Sequence, residues 1–120
     1  MALKKILVVE DSVDLAELIQ RQLEHIGLTS VMATTGLAAL RKGQEEKPDL
    51  ILLDLILPDI SGLEVGVRLK AGVSTGSIPI LAITGMSPGW EECLENGFDG
   101  YLVKPFSLHE LKREIEKLLR

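Results

Sequence analysis

The chain has 120 residues, 46% apolar and 26% charged, enough for one domain with one core and too apolar for disorder. Its 13 Lys and Arg face 18 Asp and Glu, a net charge of -5, so it lacks the basic footprint that neutralises nucleic-acid phosphates. No apolar run approaches the roughly 18 residues of a membrane span, and no long apolar stretch of a signal peptide follows Lys4 and Lys5.

The first apolar run, Ile6 to Val9, is unbroken, as expected of a strand covered on both faces in a parallel sheet. Leu15, Leu18, Ile19, Leu23 and Ile26 then repeat at helical spacing. Thr29 to Ala33 mixes polar and apolar residues and suits an edge strand, and a helix follows from Gly36 to Glu46. Pro48 precedes a third strand, Leu50 to Leu53. Ser61-Gly62-Leu63-Glu64 reads as a capping box opening a third helix, interrupted by Gly66 at a cost of about 1 kcal/mol against Ala. Pro79 precedes the fourth strand, Ile80 to Ile83, and Ser87-Pro88 reads as the start of a fourth helix carrying Trp90 and Cys93 as packing residues. Asn96-Gly97 stops that helix before a last strand, Tyr101 to Val103. Ser107 to Glu110 forms a second capping box, opening a helix with Leu108, Leu111, Ile115, Leu118 and Leu119 on one face.

Five alternations of strand and helix predict an α/β fold: a doubly wound, five-stranded parallel sheet with helices on both faces. Right-handed crossovers and the edge character of the second strand favour the order 2-1-3-4-5, which is flavodoxin-like. In such a sheet ligands bind beyond the carboxyl ends of the strands, at the switch point between strands 1 and 3. A single cysteine cannot form an internal disulfide. With no membrane or export signal, the expectation is one cytoplasmic domain spanning residues 1–120.

The residues expected at that crevice are Glu10 and Asp11 after strand 1 and Asp54 at the end of strand 3. Three carboxylates at close range repel one another, and one pKa should rise unless a cation balances them. Oxygen-only ligation with no His or Cys points to Mg2+. A bland reading has Glu10 and Asp11 capping the first helix, but it leaves Asp54 unexplained. Thr84 and Lys104 end strands 4 and 5, bringing a hydroxyl and an ammonium to the same rim. Acids, cation site, hydroxyl and lysine together make a phosphoryl site.

The segments ILVVED, LILLDLILPDISGLEV, IPILAIT and GFDGYLVKPF, with the amphipathic last helix, resemble the response-regulator receiver domain of two-component signalling over essentially the whole chain. The resemblance implies that Asp54 is the phosphoacceptor. It assigns Mg2+ to Glu10, Asp11, Asp54 and the main-chain carbonyl of Ile56. It makes Thr84 the switch hydroxyl, Lys104 the site lysine and Tyr101 the aromatic switch residue, and it implies a cis bond before Pro105. The implied partners are a sensor histidine kinase or histidine phosphotransfer protein, and a downstream protein on the surface of the fourth helix, fifth strand and fifth helix. Neither nucleic acid nor membrane is expected to bind directly.

Four positions depart from the family's commonest pattern. Glu10 replaces an Asp, Gly85 stands where a small side chain is common, and Ile56 and Met86 flank the expected path of hydrolytic water without polar groups. Slow hydrolysis of the acyl phosphate is the expectation. The competing classes are an aspartate-nucleophile phosphatase, disfavoured because Ile56 replaces a second acid, and a pseudo-receiver that binds partners without phosphorylation. The complete set of acids, hydroxyl and lysine argues against the latter.

Overall fold

The computed structural model describes residues 3–85 and 89–119. Its elements run β1 (Lys5–Val9), α1 (Val13–His25), β2 (Thr29–Ala33), α2 (Gly36–Glu46), β3 (Leu50–Asp54), α3 (Gly62–Ala71), β4 (Ile80–Thr84), α4 (Trp90–Glu95), β5 (Gly100–Val103) and α5 (Leu108–Leu118). The sheet is parallel throughout in the order β2-β1-β3-β4-β5, as the alternation predicts.

The unbroken apolar runs are explained by where alternate side chains go. Leu7, Val9, Ile51, Leu53, Ile80 and Ala82 face one side, where they pack with Ala39 of α2, Val65 and Leu69 of α3, and Cys93 of α4. Ile6, Val8, Leu50, Leu52, Leu81 and Ile83 face the other, against Ala16, Ile19 and Leu23 of α1 and Leu111 and Ile115 of α5. Each strand must therefore be apolar on both faces, and strict alternation is impossible. β2, with only Ala33 buried, is the edge that its mixed sequence predicts.

Helix starts follow local chemistry, with one correction to the expected capping. At α5 both halves of the capping box are made by Ser107 and Glu110. At α3 only one half forms: the Ser61 hydroxyl accepts from the Glu64 amide, while the Glu64 carboxylate accepts instead from Arg68 Nε at 3.1 Å. An arginine one turn on competes successfully for the carboxylate. The expected Ser87–Pro88 start of the fourth helix lies outside the described residues, and α4 begins at Trp90 with Gly89 as its N-cap residue.

Gly66 has a packing reason. A Cβ there would fall 2.3 Å from Phe98 Cε1, so the missing side chain makes the notch that admits this buried ring. The helix-propensity penalty is accepted in exchange for closing the core between α3 and the start of β5.

Candidate functional site

The chain positions its acids through strand ends. The Glu10 amide donates to Ala33 O at 3.0 Å, continuing the β1–β2 ladder one residue past the strand. Asp54 closes β3 in register with Ile83, and Thr84 pairs with Val103. The Leu55 amide donates to Ile83 O at 3.1 Å and the Lys104 amide to Thr84 O at 2.7 Å. Every residue assigned to the rim thus sits on, or one step beyond, a hydrogen-bonded ladder. The Lys104–Pro105 peptide is cis.

Glu10, Asp11 and Asp54 come together: one carboxylate oxygen from each lies within 4.8 Å of the other two. Glu10 and Asp54 are buried, whereas Asp11 is exposed. The capping alternative for the two N-terminal acids fails, because Ser12 caps α1 with its hydroxyl accepting from Leu15 N at 3.3 Å. That cap was not apparent in the sequence, where the adjacent acids offered a more obvious candidate. Glu10 instead accepts from the Ser12 amide at 3.1 Å, which orients its carboxylate inward.

Lys104 Nζ bridges the two buried acids, donating to Glu10 Oε1 and Asp54 Oδ2 at 2.8 Å each. The second oxygen of Asp54 accepts from the Ile56 amide at 2.9 Å. Burial would push the Lys104 ammonium down, but its bonds to Asp54 and Glu10 outweigh that and its pKa is raised. Glu10 is pushed up from 4.5 to about 7, chiefly by burial; Lys104 and the Ser12 amide hold it back and Asp54 adds to the rise. One lysine only partly balances the buried acids. The donor set is all oxygen and under-neutralised, which fits a hard divalent cation of the Mg2+ type.

Thr84 is buried beside this cluster, at the end of β4. Tyr101 is half-buried on β5, its ring centroid 5.9 Å from that of Trp90 and inclined at 49°. Cys93 is fully buried, and Trp90 is partly exposed. Ile56 is 68% exposed, so it offers its backbone to the site and its side chain to solvent. Met86 lies outside the described residues.

Sequence reasoning missed Gly62. A Cβ on it would lie 2.3 Å from Asp54 O and 2.5 Å from Leu55 Cα, so the first turn of α3 presses directly on the backbone of the proposed acceptor. Its place in the SGLE segment suggested helix capping and gave no sign of this contact.

Among the described residues no helix is long and apolar enough to cross a membrane. The family model described as the response regulator receiver domain matches residues 6–116. The chain is 40% identical over 119 residues to the alkaline phosphatase synthesis transcriptional regulatory protein PhoP of Bacillus subtilis, an alignment covering 98% of this chain and 49% of that protein. It spans about half the length of the curated relatives it matches. Among solved structures, chemotaxis protein CheY4 of Vibrio cholerae superposes with a TM-score of 0.92 at 28% identity, covering 98% of this chain and 100% of that one. The receiver domain of sensor histidine kinase PA1611 from Pseudomonas aeruginosa, with a magnesium ion in its active-site cleft, gives a TM-score of 0.90 at 30% identity, covering 98% of each chain. The family match, the relatives and the shared sheet order agree, and the chain belongs to the response-regulator receiver domains, the signalling switches of two-component systems.

Proposed function

We propose that residues 1–120 form one cytoplasmic receiver unit that takes a phosphoryl group onto Asp54 from a phosphohistidine of a sensor kinase or phosphotransfer protein. The observation that carries this reading is the Lys104 ammonium bridging Asp54 and Glu10 at 2.8 Å each. A carboxylate oxygen of Asp54 attacks phosphorus, the P–N bond breaks, and the imidazole leaves as a neutral base after taking up a proton. Glu10, Asp11, Asp54 and the main-chain carbonyl of Ile56 would hold Mg2+, which supplies charge neutralisation at the phosphoryl oxygens. Lys104 already faces Asp54 and pairs with one of those oxygens, and the Thr84 hydroxyl donates to another. The Ile56 amide, aimed at Asp54 Oδ1, keeps the nucleophile oriented.

The phosphoryl group brings close to two negative charges and three acceptor oxygens. Its pull on Thr84 is proposed to open space for Tyr101, reshaping the surface of α4, β5 and α5 that meets a downstream protein. The Trp90–Tyr101 pair, with Leu94 and Val103 exposed beside it, supports a protein partner there rather than nucleic acid or membrane.

Incubation with a small acyl phosphate and Mg2+, followed by intact mass, tests the assignment. One stable phosphoryl addition is expected; turnover without accumulation would favour a phosphatase, and no reaction a pseudo-receiver. After donor removal the acyl phosphate is expected to persist for minutes or longer, because the Ile56 side chain is apolar and exposed and cannot orient water. Decay within seconds contradicts this.

A pH dependence follows from Glu10. Cation binding needs the ionised carboxylate, and Glu10 is held at about 7, so binding below that pH must release its proton. Apparent Mg2+ affinity is expected to rise between about pH 6 and 8 and then level off. The metal-free fold should show the opposite trend. The folded pKa exceeds the unfolded one, so this residue's contribution is intact below 4.5 and declines as pH rises to about 7. Calorimetric Mg2+ titrations and thermal melts across that range check both signs, and Glu10→Gln should remove both trends.

A further inference from the structure

We infer that Asp59 is a positioning residue for the phosphoryl site: together with Ile60 it clamps the loop of residues 55–61 onto the first turn of α2, fixing the Ile56 backbone beside Asp54. The inference rests on the reading of Ile56 given above. The ends of this loop are already held, by Leu55 N to Ile83 O at 3.1 Å and Gly62 N to Leu55 O at 2.9 Å. Its apex is held by a different element. Asp59 Oδ1 accepts from the Gly36 amide at 2.7 Å and Oδ2 from the Leu37 amide at 2.9 Å. These contacts span 23 and 22 residues of sequence, so they are tertiary and not a local turn.

A second contact of different chemistry sits beside the first. A Cβ at Gly36 would fall 2.4 Å from Ile60 Cγ1, so the Ile60 side chain rests on the bare glycine. Helix capping alone does not account for the pair. α2 has its own cap in Thr35, whose hydroxyl accepts from Ala38 N at 3.1 Å. Asp59 takes two of the amides this cap leaves over. The amides of Leu37 and Gly36 hold its carboxyl below the usual carboxylate range, so it stays charged at neutral pH. Pro58 lies between Asp59 and the loop segment that carries Ile56, and its fixed φ limits how far the two can move independently. Asp59 touches no reacting atom; it acts through the Ile56 backbone.

The test compares Asp59→Ala and Asp59→Asn with Thr35→Ala, which removes a cap from the same helix without touching the loop. Two readouts are used: calorimetric titration with Mg2+ alone, and metal-free amide relaxation of residues 56–60. Asp59→Ala is expected to weaken Mg2+ binding about tenfold and to raise loop mobility, with Asp59→Asn intermediate because it keeps one acceptor. Thr35→Ala is expected to lower the melting temperature while leaving both readouts near wild type. The inference is overturned if Asp59→Ala leaves loop mobility unchanged, or if Thr35→Ala moves both readouts equally. If Asp59→Ala does not fold, Asp59→Asn and Gly36→Ala, which displaces Ile60, carry the same comparison. A wild-type chain that binds no Mg2+ would sink the metal reading instead, and the relaxation arm would still decide the clamp.

Discussion

Asp54→Asn is expected to abolish phosphoryl uptake completely while leaving a folded protein. The amide cannot act as the attacking oxyanion, and no second carboxylate replaces it. Asp11 is exposed, and Glu10, its pKa pushed up to about 7, is only partly ionised near neutral pH and pinned by Lys104 and the Ser12 amide. The fold should survive because the substitution is nearly isosteric. The amide oxygen can still accept from the Ile56 N–H, replacing the 2.9 Å bond to Oδ1. What is lost is the 2.8 Å bond from Lys104 to Oδ2, worth about 1.5–3 kcal/mol as a bond between charged groups. Relief of the repulsion between Asp54 and Glu10 offsets part of that loss. A melting shift of a few degrees and no added phosphoryl mass are therefore expected. Retained labelling would move the acceptor to another residue, and peptide mapping would identify it.

The sequence is most informative where chemistry is redundant. Four unbroken apolar runs and one mixed edge run, alternating with segments of helical spacing, leave few alternatives to a parallel sheet covered on both faces. Once the strand order is known, the ends of four strands bring Glu10, Asp11, Asp54, Thr84 and Lys104 to one rim. Sequence separation hides that proximity, but strand-end position reveals it. The contacts that aim those side chains are far less visible. Ser12 rather than an acid caps α1, and Arg68 diverts Glu64 from its capping box. In each case two plausible local partners compete, and only packing decides between them. Asp59 is harder still. In an LPDIS turn it reads as an ordinary loop residue, and its partners on α2 lie more than twenty residues away.

Gly62→Ala is expected to be the most damaging glycine substitution near the site. The added Cβ would meet Asp54 O at 2.3 Å and Leu55 Cα at 2.5 Å. Both are backbone atoms at the end of a buried central strand, so no side chain can swing aside. Either β3 or the first turn of α3 must move, and the Gly62 amide bond to Leu55 O is strained in both cases. Overpacking of this kind costs about 1–3 kcal/mol where side chains can yield; against rigid backbone at least the upper end is expected. Molecules that still fold should also transfer phosphate about a hundredfold more slowly, since an ångström-scale shift of a reacting group has that effect. Two other glycines separate the causes. Gly66→Ala meets the Phe98 ring, with Cε1 at 2.3 Å, and is expected to lower stability while sparing the rate per folded molecule. Gly85→Ala meets nothing within 4 Å among the described residues, so it should leave the rate intact and stabilise slightly by restricting the unfolded chain. Thermal melts and initial rates of acyl-phosphate labelling on all three variants check the ranking. A Gly62→Ala protein that melts and labels like wild type would mean that the Asp54 backbone yields more readily than this packing implies.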